Sequence, residues 1–282
     1  MTAVGDAARA PATLALDAVR LLREGRWLRS LVLVILFAAG CGMLGYWQWS
    51  RHVDRSAAVE RVKSNYGMSP VPLAELLPTA DTALATDQEW RQVEVSGTYL
   101  ADRTVLIRNR SFHGDPGYEV VVPLRTTAGA VLLVDRGWLP NGVTGSRPDV
   151  VPDPPSGPVQ VVARLHRSEL SAGKKAPAGQ AMQVDVPQLA TALREPVHRA
   201  YAVLATETPR PTSAPRPLPR PDLGLGINLA YALQWWVFTV GAFVMLGYYA
   251  YREARNRDLR ARGIDPATVR RRRSRPEPEE EW

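Results

Sequence analysis

Two long runs without charge constrain this chain more than any other feature of its sequence. No Asp, Glu, Lys or Arg occurs between Arg29 and Arg51, or between Asp222 and Arg252. A helix needs roughly 20 apolar residues to cross the hydrocarbon core of a bilayer. It also satisfies its backbone hydrogen bonds internally, which lipid cannot do for it. The sequence therefore predicts a membrane protein in which each run forms one transmembrane helix.

Arginine-rich segments flank both runs on the sides that lead to the chain ends. The first 29 residues carry five arginines, and the segment after Tyr251 carries ten, with four in succession at residues 270–273. Short segments rich in Lys and Arg stay in the cytoplasm, whereas long loops are translocated largely regardless of their charge. We therefore expect both termini to be cytoplasmic and the main domain to be extracytoplasmic. Frequent Ala, Arg and Pro indicate a GC-rich bacterial genome and hence the bacterial plasma membrane as the location.

Charge and cysteine usage exclude several classes of function. The formal net charge is +7, but most of the excess falls in the two end segments, where attraction to anionic lipids accounts for it. No nucleic-acid-binding motif accompanies the charge, so nucleic acid is not an expected partner. The one cysteine, Cys41, lies inside the first apolar run. A lipoprotein signal ending at Cys41 is the alternative, although the polar region before the run is longer than a signal peptide normally has.

The segment between the apolar runs predicts an α+β, β-rich domain. The first helix should continue past Arg51 and break before Gly67, where Gly and Pro follow. Short helices are expected at 72–77 and 187–193, the first because proline suits a first helical turn. Apolar residues with a period of two, or β-branched runs between turn signals, predict seven strands: 93–97, 104–109, 118–124, 130–135, 159–165, 182–186 and 200–205.

The predicted organisation follows from these elements and from the proline content. Residues 208–226 are rich in proline and favour an extended, semi-rigid strap rather than a ligand for a proline-reading partner. The N-terminal segment forms either an amphipathic helix on the inner membrane surface or a frayed tail. The predicted division is a cytoplasmic segment 1–29, transmembrane helices 30–50 and 227–251, an extracytoplasmic domain 51–207, the strap 208–226 and a charged cytoplasmic tail 252–282.

No catalytic constellation is visible in the sequence, so an enzyme is not predicted. The four histidines have no metal-ligand spacing, and no nucleophile or phosphate-loop motif occurs. What stands out is an aromatic cluster with a glutamine at the end of each apolar run that is expected to emerge on the outer side of the membrane. Gln48 and Gln234 would each cost free energy if left unpaired in an apolar setting. They can bond across a helix pair, brought close by Ala38, Gly42 and Gly45, or reach headgroup water, with the tryptophans serving as an interfacial belt.

Four motifs in order resemble the surfeit locus protein 1 family of cytochrome c oxidase assembly factors, with the same two-helix layout. They cover about residues 31–251 and read Gly-x-Trp-Gln-x-x-Arg from Gly45, Trp-Arg-Gln-Val-x-Val-x-Gly-x-Tyr from Trp90, Val-Asp-Arg-Gly-Trp-Leu-Pro from Val134, and Asn-Leu-Ala-Tyr-Ala-Leu-Gln-Trp from Asn228. The resemblance implies a non-enzymatic, membrane-bound factor that contacts the catalytic subunit of the oxidase and assists delivery of haem a.

The resemblance also suggests the residues that would meet haem a. They are Trp47, Gln48, Arg136, Asn228, Tyr231, Gln234 and Trp235. In the family, a histidine often stands three residues before the tyrosine of the second helix, where this chain has Asn228. Asparagine is not a usual axial ligand of haem iron, so direct ligation at that position is not expected. For Arg136 two interpretations stand, namely a structural contact with nearby carbonyls or a carboxylate, and a contact with haem propionates.

Two other functions are consistent with the residues alone. One is a structural or sensory membrane protein whose outer domain binds an envelope component. The other is an enzyme of haem or lipid modification, for which no acid–base pair or metal cluster is visible.

Overall fold

The computed structural model describes residues 10–143, 145, 147–171, 173 and 175–268. The arginine run at residues 270–273 lies outside the described residues. The chain divides into two compact units. The helical unit comprises the residues up to Arg55 together with those from Leu225 onward, and the barrel unit comprises Ser56–Gly224.

The helices, in chain order, are α1 (Pro11–Leu21), α2 (Gly25–Asn65), α3 (Leu73–Leu76), α4 (Val186–Leu193) and α5 (Asn228–Ala261). The strands are β1 (Val71–Pro72), β2 (Gln92–Tyr99), β3 (Val105–Phe112), β4 (Asp115–Thr126), β5 (Val131–Pro140), β6 (Pro158–Arg167), β7 (Gln180–Ala181) and β8 (Val197–Thr208).

Both predicted apolar helices are present. α2 and α5 are long and apolar enough to cross a membrane, by length and composition. Only 17% and 11% of their most apolar 18-residue windows are buried, so their apolar side chains face outward instead of forming a core. α2 ends at Asn65, which confirms the predicted extension beyond Arg51 and the break before Gly67.

The N-terminal segment is helical where it is described, which agrees with the predicted helix and not with a frayed tail. Ala18 and Leu21 of α1 pack with Trp27 against Ala250 and other apolar residues of α5. Two ion pairs join the same ends of the chain. Glu24 accepts hydrogen bonds of 2.6 and 2.8 Å from the guanidinium of Arg257, and Arg26 lies 3.5 Å from Glu253.

Five strands of the barrel unit close into a barrel in the order β2–β6–β8–β5–β4, and β4 returns to β2. The β5–β8 pair is parallel, and the other four pairs are antiparallel. Closure occurs where Gly97, Thr98 and Tyr99 pair with the last residues of β4. A Cβ atom at Gly97 would lie 2.3 Å from the carbonyl oxygen of Arg125, so this seam requires glycine.

Burial along the strands follows from their position in the barrel. β2 alternates buried and exposed side chains over its length, as its period-two pattern predicts. β5 is buried at nine successive residues because both of its faces are covered. Leu132 and Val134 face the barrel core, whereas Val131 and Leu133 pack in a second cluster that includes Leu189 of α4.

The predicted strands at 93–97, 104–109, 118–124, 130–135, 159–165 and 200–205 are confirmed, as are the short helices. The predicted strand at 182–186 is wrong. Strand β7 covers only Gln180–Ala181, and the chain then turns into α4. The reason is local, because the Asp185 side chain caps α4 by accepting a 3.0 Å hydrogen bond from the backbone N–H of Gln188.

The proline-rich segment follows β8 and returns to the barrel. Arg216 forms an isolated antiparallel bridge with Trp138 of β5, through backbone hydrogen bonds of 2.8 and 2.9 Å. Proline has no backbone N–H, so this segment carries few hydrogen-bond donors. Arg216, which is not a proline, provides the attachment to β5.

Candidate functional site

Six of the predicted site residues belong to the helical unit. Trp47 and Gln48 lie on α2, and Asn228, Tyr231, Gln234 and Trp235 lie on α5. Trp47 is 55% exposed and Tyr231 is 42% exposed, so both rings are available for contact. Gln234 is exposed, and Asn228 and Trp235 are half-buried.

Of the two alternatives for Gln48 and Gln234, the hydrogen bond between them is not formed. The Oε1 atom of Gln48 is buried and has no partner among the described residues. An unpaired amide oxygen is costly in an apolar setting, so a donor from outside the chain would stabilise this position.

Side chains of α5 contact α2 at two of the three small residues. A Cβ atom at Gly45 would lie 2.4 Å from Nε1 of Trp236, and Ala38 is buried beside Thr239, whose hydroxyl lies 3.5 Å from the Ala38 carbonyl oxygen. Gly42 has open space where its Cβ would be. Gly45 is therefore the close-contact glycine of this helix pair.

Arg136, the seventh predicted residue, is buried in the barrel unit. Its Nη2 and Nε atoms donate to the two carboxylate oxygens of Glu207, at 2.7 and 3.3 Å, and its Nη1 atom donates to the carbonyl oxygen of Pro152 at 3.2 Å. The Arg136 side chain is 0% exposed and that of Glu207 is 5% exposed. These are the carboxylate and carbonyl contacts of the structural interpretation.

The two residues after Arg136 are closely packed in the wall of the barrel. Gly137 has φ +128°, and a Cβ atom there would lie 2.4 Å from the carbonyl oxygen of Arg216, so glycine relieves the backbone constraint as predicted. Trp138 is 1% exposed and fills the interior, also as predicted, while its Nε1 atom donates to the Arg110 carbonyl oxygen at 2.9 Å.

A buried cluster of acids around Arg110 was missed by sequence reasoning. The Nε atom of Arg110 lies 2.8 Å from a Glu119 oxygen, although the N–H does not point at it, and Nη2 donates to Glu169 at 2.5 Å. Asp135 is 1% exposed and accepts a 2.9 Å hydrogen bond from the backbone N–H of Gly137. The available signal was a lone aspartate, Asp135, in an otherwise apolar run.

A β-bulge assembles this cluster. Glu119 of β4 pairs with Trp138 of β5, and Val121 of β4 pairs with Asp135 of β5. Two residues of β5, Arg136 and Gly137, therefore lie opposite the one residue of β4 between Glu119 and Val121. Such a bulge redirects side chains relative to a regular ladder. It gives Asp135 and Glu119 one common environment.

Burial sets the protonation of the cluster. Desolvation raises the pKa of Asp135 well above its ordinary value, and the negative charge of Glu119 raises it further. Burial also raises the pKa of Glu119, against the opposing effect of Arg110. Both shifts favour the neutral forms of Asp135 and Glu119, and Arg110 offsets part of the negative charge of the cluster. Within the described residues, no group of three or more His, Cys, Asp or Glu could hold a metal ion.

Comparison with known proteins gives a consistent result along most of the chain. The sequence model of the SURF1 family matches residues 35–240. Uncharacterized SURF1-like proteins of Mycobacterium bovis and Mycobacterium tuberculosis are each 34% identical over 252 residues, covering 87% of this chain and 91% of the relative. The cytochrome oxidase assembly protein SHY1 of Saccharomyces cerevisiae is 28% identical over 120 residues, covering 42% of this chain and 30% of the yeast protein. The match from α2 through the barrel into α5 shows that this chain belongs to the SURF1 family.

Proposed function

We propose that this protein is a membrane-anchored assembly factor for haem-copper cytochrome c oxidase that acts on the catalytic subunit and assists its loading with haem a. The observation that carries the proposal is the family match, which runs from within α2 through the barrel into the first part of α5. The similarity to the yeast cytochrome oxidase assembly protein SHY1 supports the same role.

The proposed topology follows from charge and hydropathy. α2 and α5 span the plasma membrane, both termini lie in the cytoplasm, and the barrel unit lies on the outer side. A periplasm-active reporter inserted at Gly145, in the loop after β5, tests this arrangement. Activity of that reporter, with silence of a cytoplasm-active reporter at the same site, is expected. The opposite pattern would overturn the topology and with it the proposed function.

Haem a is proposed to meet the aromatic residues of the helical unit without axial ligation at position 228. When bound, haem a would supply redox chemistry to the oxidase, not to this protein. Trp47 and Tyr231 expose rings that suit flat contact with a macrocycle. The Asn228 amide does not fit as an axial ligand, so the contact is expected to be weak and transient.

Deletion of the gene tests the assembly role. We expect less assembled oxidase of the haem a type, measured by reduced-minus-oxidised absorbance spectra of membranes and by oxidation of cytochrome c. A plasmid copy of the wild-type gene should restore both signals. Normal spectra and normal activity in the deletion strain would sink the proposal. Purification in mild detergent should also recover the catalytic subunit with this protein.

A further inference from the structure

The barrel unit contains a cavity that the proposed function does not use. Its volume is about 190 Å³, and its walls include the rings of Tyr66, Trp90, His166 and Tyr201 together with Arg164. An apolar cavity of about 150 Å³ already accommodates benzene. The space therefore suits one small organic group held between aromatic rings.

Arg164 lines this cavity, and Arg220, which follows the lining residue Pro219, contacts the same tyrosine. The guanidinium of Arg164 lies 3.8 Å from the ring centroid of Tyr66, and that of Arg220, on the proline-rich segment, lies 5.4 Å from it. Within the described part of the chain, neither guanidinium is paired with a carboxylate, and the buried Nε atom of Arg164 has no hydrogen-bond partner. An anion in contact with the unpaired Arg164 guanidinium would be stabilising, and the positive charge of Arg220 would add to that attraction.

His166 adds a polar group to the wall of the cavity. Its ring packs edge-on to Trp90, with 4.1 Å between centroids, and stacks on Tyr201 at 5.2 Å. The residue is only 8% exposed, and its Nε2 atom has no hydrogen-bond partner among the described residues. Burial, together with the charge of Arg164, lowers the pKa of His166 to about 4. The ring is neutral at pH 7 and does not add to the positive charge.

The acids that line the same cavity do not neutralise these arginines. Glu119 and Glu169 both face Arg110, at 2.8 and 2.5 Å. Burial beside Glu119 raises the pKa of Asp135, the third acid, and so favours its neutral form. Glu119 and Glu169 share the one guanidinium of Arg110, and among the described residues neither carboxylate is paired with Arg164 or Arg220.

We propose that this cavity binds an organic monocarboxylate, with its carboxylate on Arg164 and its uncharged body against Trp90, His166 and Tyr201. Guanidinium groups match a carboxylate in charge and in the geometry of their donors. Aromatic rings supply most of the contact area for the body. The inference goes beyond the proposed role in oxidase assembly and does not depend on it.

Calorimetric titration of the full-length protein in mild detergent tests the proposal with four probes of one size. These are benzoate, phenyl phosphate, benzylamine and benzyl alcohol. Benzoate is expected to bind tightest. In Arg164→Gln, its affinity should fall by about tenfold or more, as for loss of a hydrogen bond to a charged group. Arg167→Gln, at an exposed position of the same strand, is the matched control and should leave the affinity unchanged.

Binding of benzyl alcohol separates loss of recognition from loss of fold. If Arg164→Gln only removes the carboxylate contact, the variant still binds benzyl alcohol and no longer prefers benzoate. A peptide with a free C-terminal phenylalanine, compared with its amide, shows whether a polypeptide terminus is the source of the carboxylate, and the assignment holds with either source. Tighter binding of benzylamine or phenyl phosphate than of benzoate would overturn it, and so would binding of no probe. Because purified protein is measured, these results leave oxidase assembly to its own test.

Discussion

Arg136 on β5 and Glu207 on β8 form a buried, two-point ion pair across neighbouring parallel strands, with donor–acceptor distances of 2.7 and 3.3 Å. The pair joins the motif around Arg136 to β8, the last strand of the barrel. Glu207 lies 71 positions after Arg136 in the chain. The guanidinium also lies 5.5 Å from the ring centroid of Tyr99 on β2. Burial and the charge of Glu207 raise the pKa of Tyr99, so this phenol stays neutral.

Removing one partner of this pair should destabilise the barrel strongly. Glu207→Ala leaves a buried guanidinium without its counter-charge, and we expect a loss of about 3–5 kcal/mol in the free energy of unfolding. Urea titration followed by tryptophan fluorescence measures it. The exposed pair Arg125–Glu195 provides the control, since Glu195→Ala should cost at most about 1 kcal/mol. Equal effects of the two substitutions would contradict the structural role of Arg136.

Closure of the barrel at Gly97 should not tolerate a side chain. Gly97→Ala places a methyl group 2.3 Å from a backbone oxygen of β4, so the seam between β2 and β4 must open. A loss of about 1–3 kcal/mol in stability is expected for overpacking. Gly67→Ala is the matched control, because open space surrounds that position. Similar melting temperatures of the two variants would show that the seam is not closed in solution.

The protonation of Asp135 predicts a stability that depends on pH. Its folded-state pKa lies above the unfolded value of 3.8, so its stabilising contribution is complete below pH 3.8 and is lost as pH rises through the folded pKa. Asp135→Asn keeps an acceptor for the Gly137 N–H and cannot ionise. Relative to wild type, this variant should therefore gain stability as pH rises above 3.8. Asp102→Asn, at an exposed site, should show no such trend. A constant difference between Asp135→Asn and wild type would refute the buried protonated acid.

The contact between α2 and α5 should depend on Gly45 and not on Gly42. Gly45→Leu collides with the Trp236 indole, whereas Gly42→Leu enters open space. Helix pairs that approach at small residues lose packing when these are enlarged. We expect a lower temperature of aggregation in mild detergent for the first variant only, measured by light scattering during heating. Equal temperatures for both variants would argue against this helix pairing.

Position 228 predicts a gain of haem binding. Asn228→His introduces an imidazole, which is a usual axial ligand of haem iron. When the protein is produced together with haem a synthesis, the variant should purify with a stronger Soret band than wild type. Asn228→Gln, which adds length without an imidazole, is the control. A strong Soret band in wild type itself would show that ligation does not require position 228.

Local pattern was sufficient to predict many of the elements. The lack of charge over α2 and α5, the alternation along β2, and Pro187 in the first turn of α4 each act within a few residues. The mistaken strand at 182–186 shows the limit of this reasoning. There, β-branched composition competed with the capping of α4 by Asp185, and the cap determined the structure.

What the sequence by itself determined is therefore the order of the elements and the family, because apolar period, turn residues and motifs are written in short segments. Tertiary structure alone decided the partner of Arg136, the return of β4 to Gly97, and the cavity beneath Arg164. Each of these depends on residues far apart in the chain, and Arg136 and Glu207 are separated by 71 positions. Such contacts form only once the strands are in register, and no local sequence pattern indicates which residues will be in contact.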